Sequence, residues 1–324
     1  MTAIETNDLV KTYPGDVRAL DGVTLQVETG EVFALLGPNG AGKTTTVKIL
    51  TTLSRPTSGS ASVAGIDVGA EPGRVREAIG VVAQRAGLDP VATGRENLTL
   101  QGRFFGMSGR GLRERVDELL AMVDLMDAAD RPAGTYSGGM ARRLEIAMGL
   151  VHRPSVLFLD EPTVGLDPEI RAALWAEIRR LAAGEGLTIL LTTHYLEEAD
   201  QLAGRVAILD RGRLVAQGTP EALKAELRGD AIAIELRERT DEPAIRSALA
   251  SVPDLGEIRL EERTVHLRVT AGATALPGVL GAFDAARLAV AAATVSHPSL
   301  DDVYLRHTGR SFAAAERTLE GAVR

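Results

Sequence analysis

From residue 1 to about 225, short apolar β-rich runs alternate with helical stretches. Runs at 32–36, 79–82, 156–159, 188–192 and 206–210 are mostly separated by helical or mixed segments. That order predicts a largely parallel sheet with helices packed on it, an α/β fold. Residues 4–13 and 23–27 alternate more cleanly between apolar and polar positions, as an antiparallel portion would. Between 88 and 150 the pattern turns mostly helical, with an amphipathic, charge-rich stretch at 111–125. This predicts a helical insertion between two strands of the sheet. A second unit begins near 227. Its strand-like runs at 231–237, 257–260, 265–269 and 288–295, with helices at 242–250 and 275–286, give the order β-α-β-β-α-β. That order is compatible with a small ferredoxin-like α+β module. Ser299 then reads as the N-cap of a helix with Asp301 and Asp302 in its first turn, and the tail from Gly309 reads as weakly ordered. The expected division is one domain over 1–225, with its helical part at about 88–150, and an accessory domain over 226–324.

Composition narrows the classes of function. The 324 residues contain no cysteine, so disulfides and thiolate metal sites are excluded. The net charge of −8 argues against a broad nucleic-acid surface, which needs concentrated Lys and Arg. No apolar run approaches the roughly 18 residues a membrane span requires, and the first residues lack the basic start and apolar stretch of a signal peptide. Work at a membrane would therefore need another chain to supply the spanning part.

Two segments carry chemistry on their own residues. Gly37-Pro38-Asn39-Gly40-Ala41-Gly42-Lys43-Thr44-Thr45 fits the G-x-x-x-x-G-K-[ST] phosphate-binding loop at every defined position. An apolar run precedes it and a predicted helix, 45–53, follows, so backbone N–H groups and the helix N-terminus can converge on phosphate oxygens. Lys43 would reach the β- and γ-phosphates, and Thr44 would offer a hydroxyl to Mg²⁺. The apolar run at 156–159 ends in Asp160-Glu161, which suits Mg²⁺ coordination by the first carboxylate and general-base work by the second. Taken alone, that segment reads equally well as a strand followed by an acidic turn. For Ser137-Gly138-Gly139, a plain turn is the favoured reading from the residues alone, with a helix-terminal anion site as the alternative.

In their order along residues 1 to about 225, these segments resemble the nucleotide-binding domain of ATP-binding-cassette (ABC) transporters. The resemblance implies a P-loop NTPase cassette with a mixed sheet and a helical subdomain, using ATP and Mg²⁺. It implies that Tyr13 stacks on adenine, that Gln84 contacts Mg²⁺ and senses the membrane partner, and that Ser137, Gly138 and Gly139 form the ABC signature. Asp160 and Glu161 match Walker B and the catalytic glutamate, Asp167 the D-loop, and His194 the switch histidine. Tyr136 and Met140 depart from the commonest signature, where Leu and Gln stand. The Tyr-Ser-Gly-Gly-Met form and the appended unit are similar to daunorubicin-resistance-type export ATPases.

Further expectations follow from the resemblance. Two copies would pair head to tail, each ATP lying between the phosphate loop of one and Ser137-Gly138-Gly139 of the other. A separate transmembrane permease would complete a drug or antibiotic efflux system, with this chain peripheral on the cytoplasmic face of the cell membrane. An importer ATPase, a lipid or polysaccharide exporter, or a soluble ABC ATPase acting on nucleic acid or ribosomes are the alternatives. Of the remaining candidates, His152, His266, His297 and His307 show no ligand spacing, and Trp175, Phe104 and Phe105 read as helix-packing residues, with a place near the permease contact as the alternative for Phe104 and Phe105. Residues 75–78 and 111–125 read as solvated faces.

Overall fold

A computed structural model describes residues 1–84, 87–227, 229–253 and 255–322. The chain divides into two compact units, Met1–Thr219 and Pro220–Arg324. In chain order the first unit contains β1 (Thr2–Tyr13), β2 (Val17–Glu28), β3 (Val32–Leu36), α1 (Lys43–Leu50), β4 (Ser58–Val63), β5 (Ile66–Asp67), α2 (Pro72–Ala78) and β6 (Ile79–Val82). It continues with α3 (Gly94–Phe104), α4 (Gly109–Met122), α5 (Gly138–Gly149), β7 (Val156–Asp160), α6 (Pro168–Glu185), β8 (Thr188–Thr193), α7 (Leu196–Leu202), β9 (Arg205–Asp210) and β10 (Arg213–Gly218).

Two sheets form. The six-stranded one runs β10-β9-β3-β8-β7-β6, parallel except for the β9–β10 pair. Its central strands β3, β7 and β8 are almost wholly buried, as expected of parallel strands covered on both faces. The other sheet is antiparallel in the order β2-β1-β4-β5. One core cluster joins Ile4, Leu9, Leu20 and Val23 of the antiparallel sheet to Phe33, Leu35, Phe158 and Leu190 of the parallel one, with Val47, Ile49 and Leu50 of α1 among them. A fully buried Phe or Leu contributes about 1.5–3 kcal/mol, so this shared core holds α1 and the loop before it in place. Helices α3, α4 and α5 make the helical insertion between β6 and β7.

The second unit contains α8 (Pro220–Ala225), β11 (Asp230–Leu236), α9 (Glu242–Leu249), β12 (Leu255–Glu261), β13 (Thr264–Val269), α10 (Gly272–Ala285), β14 (Val290–Ser296), α11 (Leu300–Thr308) and α12 (Phe312–Ala322). Its antiparallel sheet runs β12-β13-β11-β14, the strand order of a ferredoxin-like α+β module. Val279 and Phe283 of α10 and Ile245 and Leu249 of α9 pack with Ile232, Ile234, Val265 and Leu267 of the sheet.

The structure corrects four expectations. The tail after Gly309 continues into α12, because Phe312 and Ala315 are buried three residues apart and the Phe312 ring meets Tyr304 edge-on at 5.0 Å. Val75 is fully buried in the core rather than on a solvated face. Phe104 does not pack; it is 77% exposed at the end of α3, while Phe105 stacks on His152 at 3.6 Å. The helix after the phosphate loop spans Lys43–Leu50 instead of 45–53, closed by Thr51 and the positive φ of Thr52.

Candidate functional site

The buried strand β3 delivers the chain to the loop Gly37–Gly42 beside the ends of β8 and β9. The loop is anchored from both sides: Gly37 N donates to Thr193 O at 3.2 Å, and Gly212 N donates to Ala41 O at 2.9 Å. Gly42 has φ 110°, and a Cβ there would lie 2.7 Å from Ala19 O and from Leu20 Cδ2. Only glycine satisfies both the dihedral and the close approach. Lys43 then opens α1 and turns its ammonium back under the loop, donating to Gly37 O at 2.7 Å and Pro38 O at 3.2 Å. The side chain is only 4% exposed. A buried positive charge at a helix N-terminus, under a loop of backbone N–H groups, is a receptor for anionic oxygen.

Opposite it lies a carboxylate pair at the end of β7. Glu161 Oε1 is 3.4 Å from Lys43 Nζ and 3.4 Å from His194 Nδ1, and Glu161 Oε2 accepts from Gln84 Nε2 at 3.0 Å. Burial is the largest influence on Glu161 and pushes its carboxyl up, but His194 and the Lys43 charge together hold it below the ordinary carboxylate value. Glu161 therefore stands ionised at neutral pH. Its backbone has φ 49°, a left-handed conformation uncommon for a non-glycine residue and often found at functional turns. Thr44 Oγ1 donates to Asp160 Oδ1 at 3.4 Å, so a hydroxyl and a carboxylate face each other beside the loop.

Thr192, near the end of β8, belongs to the site although no pattern in the sequence singles it out. Its hydroxyl donates to Asp160 Oδ1 at 2.6 Å and accepts from Glu161 N at 3.0 Å, so it orients both acidic residues. Short polar residues ending a buried strand were the only available signal.

Lys43, Thr44, Gln84, Asp160, Glu161 and His194 thus form one connected group. Ser137, Gly138 and Gly139 make their contacts elsewhere. Ser137 caps α5 by accepting from Met140 N at 3.3 Å, a contact worth about 1 kcal/mol. A Cβ on Gly139 would lie 2.6 Å from Ile170 Cγ2, which packs the start of α5 against the start of α6. Asp167 caps α6, accepting from Ile170 N at 2.9 Å. Tyr136 is held inside the helical insertion, donating from its hydroxyl to Ala128 O at 2.6 Å, a bond the commoner Leu could not make. Tyr13 ends β1, with the Lys11 ammonium 5.1 Å from its ring centre.

Behind His194 lies a second acidic group. Glu198 on α7 is fully buried and accepts from Trp175 Nε1 at 3.1 Å. Burial pushes its carboxyl up, and the neighbouring hydroxyls, the Trp175 hydrogen bond and the Arg171 charge offset only part of that effect. A raised folded value means the native state binds the proton more tightly, so stability from this group is lost as pH rises from about 4.5 through the folded value. Glu198→Gln, which cannot ionise, should raise the melting midpoint by about 2–4 °C at pH 8 and by less at pH 5. Equal shifts at both pH values in a thermal melt would contradict this.

Comparison with known proteins adds to this geometry. The ABC transporter family profile matches residues 20–164. The chain is 48% identical to the daunorubicin resistance ATP-binding protein DrrA2 of Streptomyces coeruleorubidus, over 95% of both chains. It is 40% identical to the Nod factor export ATP-binding protein I of Burkholderia orbicola (strain AU 1054), over 95% of this chain and 97% of the relative. Among solved structures, cbiO1 from Clostridium perfringens, part of the ABC transporter complex cbiONQ, matches with a TM-score of 0.66 and 27% identity, over 78% of this chain and 96% of the other. The dimeric cassette MJ0796 in a post-hydrolysis state with ADP and Pi matches with a TM-score of 0.61 and 29% identity, over 67% of this chain and 98% of the other.

Proposed function

This chain belongs to the ABC transporter family as an ATP-hydrolysing, ATP-binding subunit, and from that premise we propose that it powers efflux of a drug or antibiotic through a separate transmembrane permease. The observation that carries this reading is 48% identity with a daunorubicin resistance protein across both units rather than across the cassette alone. No helix among the described residues is long and apolar enough to cross a membrane. We place the chain on the inner face of the cell membrane, held there by the permease. In this reading the cassette is the nucleotide-binding domain over 1–225 and the remainder is an accessory domain.

In the same reading each site residue has a role that the contacts support or the family suggests. Backbone N–H groups of Asn39, Gly40, Ala41 and Gly42 and the Lys43 ammonium hold the β- and γ-phosphates of ATP, while Tyr13 offers its ring to adenine. Mg²⁺ fits the donors present: Thr44 and Asp160 offer hard oxygens side by side, with Gln84 near by. Among the described residues no cluster of three or more His, Asp or Glu could hold a metal. The ion's remaining ligands would come from phosphate and water, the usual Mg²⁺ arrangement at nucleotides. When bound it supplies charge neutralisation on the phosphates. Glu161, ionised and oriented by Gln84, takes the proton of the attacking water, and His194 holds the γ-phosphate end.

In this reading the site is composite, and the Ser137 side chain, which caps α5 by accepting from Met140 N, serves a second copy. Two copies related by a twofold axis would bring Ser137, Gly138 and Gly139 of each to the γ-phosphate held by the other, with Asp167 at the seam. ATP then stabilises the closed dimer, and hydrolysis releases it. Inverted membrane vesicles carrying this chain and its permease should accumulate an anthracycline only with ATP, and vesicles with Glu161→Gln should not. Equal accumulation without ATP would refute the efflux reading. The relative named for Nod factor export supports a second reading, export of a cargo other than a drug, for which we keep a lipid or polysaccharide as the alternative. Anthracycline-inert but ATP-driven vesicles would favour it.

A further inference from the structure

Arg142 lies on the first turn and a half of α5, and its guanidinium is among the most heavily used groups in the first unit. Nε donates to Pro162 O at 2.8 Å, and Nη2 donates to Asp160 O at 3.3 Å. Nη1 donates to Ala83 O at 2.9 Å and to Glu145 Oε2 at 2.7 Å. Glu145, one turn further along α5, spends its other oxygen on Gly87 N at 3.1 Å. Both side chains are buried, at 8% and 9% exposure.

The partners of this pair are not scattered. Asp160 O and Pro162 O flank Glu161, whereas Ala83 O and Gly87 N flank the segment that carries Gln84. Three stretches distant in sequence therefore meet on one planar fork: the helix begun by Ser137, the turn bearing Glu161, and the segment bearing Gln84. The Gln84–Glu161 hydrogen bond of 3.0 Å closes the loop on the far side. Burying two charges is costly unless geometry and hydrogen bonding are nearly complete, and here four guanidinium contacts and both carboxylate oxygens are used. Nothing in holding the fold together requires a fork at this place, since apolar packing of similar volume serves that purpose as well or better. A guanidinium has what the site needs, a rigid set of donors that fixes carbonyls at set angles; an ammonium does not.

We propose that Arg142, held by Glu145, is a positioning residue for ATP hydrolysis: it fixes the turn of Glu161 and the segment of Gln84 to the helix that begins at Ser137. The inference rests on Glu161 acting as the base. When the start of α5 meets nucleotide, the same rigid connection carries that contact to the general base and to Gln84. Correct placement of Glu161 is thereby tied to engagement of Ser137-Gly138-Gly139.

The test uses the full-length protein with Mg²⁺-ATP. Arg142→Lys keeps the charge opposite Glu145 and loses the fork. Single-turnover hydrolysis, normalised to nucleotide bound, should slow by about 10- to 100-fold, because small misplacement of a reacting group has effects of that size. Affinity for a fluorescent ATP analogue should stay within about twofold, since the Arg142 guanidinium bonds to Pro162, Asp160, Ala83 and Glu145 rather than, among the described residues, to the phosphate loop. A variant that merely folded less well would bind fewer equivalents of nucleotide yet turn over each at the normal rate. An unchanged rate per bound nucleotide would overturn the inference, as would rate and affinity falling together. Should Arg142→Lys fail to fold, Glu145→Gln gives the same reading. Its amide oxygen still accepts from Gly87 N while the charge holding Arg142 is gone, so the rate should fall by about 3- to 10-fold, and an unchanged rate overturns the inference. Glu161→Gln run in parallel separates the two ideas. If Glu161→Gln still turns over, the base assignment fails; if it is inactive while Arg142→Lys is normal, only the positioning role fails.

Discussion

Glu161→Gln should abolish steady-state ATP hydrolysis while leaving ATP bound. Removing a general base costs about 10²- to 10⁴-fold, equivalent to about 3–5.5 kcal/mol on the barrier. The substitution preserves shape and one carbonyl oxygen, which in the Oε1 place still accepts from Lys43 Nζ at 3.4 Å, while Gln84 Nε2 at 3.0 Å then faces an amide NH2 and loses its acceptor. The charge that draws a proton from water is lost with it. With the composite site in place, unhydrolysed ATP should hold two copies together, seen as an earlier elution in gel filtration when Mg²⁺-ATP is present. Turnover within twofold of the unaltered protein would remove Glu161 from the role of base. The pH dependence adds an independent check. Because the folded value of Glu161 is lowered, its stabilising contribution is present above the unfolded value near 4.5 and disappears as pH falls through the folded value. That acid-side loss should be absent from the Gln variant in a melting series.

Lys43→Ala should weaken ATP binding by about 10²- to 10⁴-fold. A hydrogen bond to a charged group contributes about 1.5–3 kcal/mol, and the ammonium can place two of its three donors on phosphate oxygens. About 3–6 kcal/mol of lost interaction converts to that range at 1.4 kcal/mol per tenfold. The substitution also strips Glu161 of its buried positive neighbour, so its carboxyl should titrate higher than in the unaltered protein. Equilibrium titration with a fluorescent ATP analogue measures the first effect. Retained affinity would mean that the loop holds phosphate by its backbone alone.

Much of the fold could be read from periodicity because each central strand is built on an apolar run and the insertion helices are amphipathic. Residues 32–36, 79–82 and 188–192 were legible for that reason. Strands β4 and β10 were not. Residues 58–63 are Ser- and Gly-rich, and residues 213–218 are only partly buried, so neither shows the pattern that marks a strand; pairing with β1 and β9 creates them. Likewise α12 is stabilised by Phe312 meeting Tyr304, a contact between helices that local propensity does not contain.

The candidate site divides in the same way. The loop Gly37–Thr45 is local: its glycines, its lysine and its hydroxyl act through their own backbone, so nine consecutive letters sufficed to identify it. The sequence alone likewise determined that Asp160 and Glu161 end an apolar strand, and the order of motifs determined the family. What needed tertiary structure was every relation between segments. The parallel order of β3, β8 and β7 sets Lys43, Thr192, Asp160, Glu161 and His194 at neighbouring strand ends, though they span 152 residues of chain. Arg142 and Glu145 looked like ordinary charges on a helix, because a buried guanidinium and an exposed one are written with the same letter. Their role is decided by which carbonyls surround them, and those carbonyls come from segments brought together only when the sheet has formed.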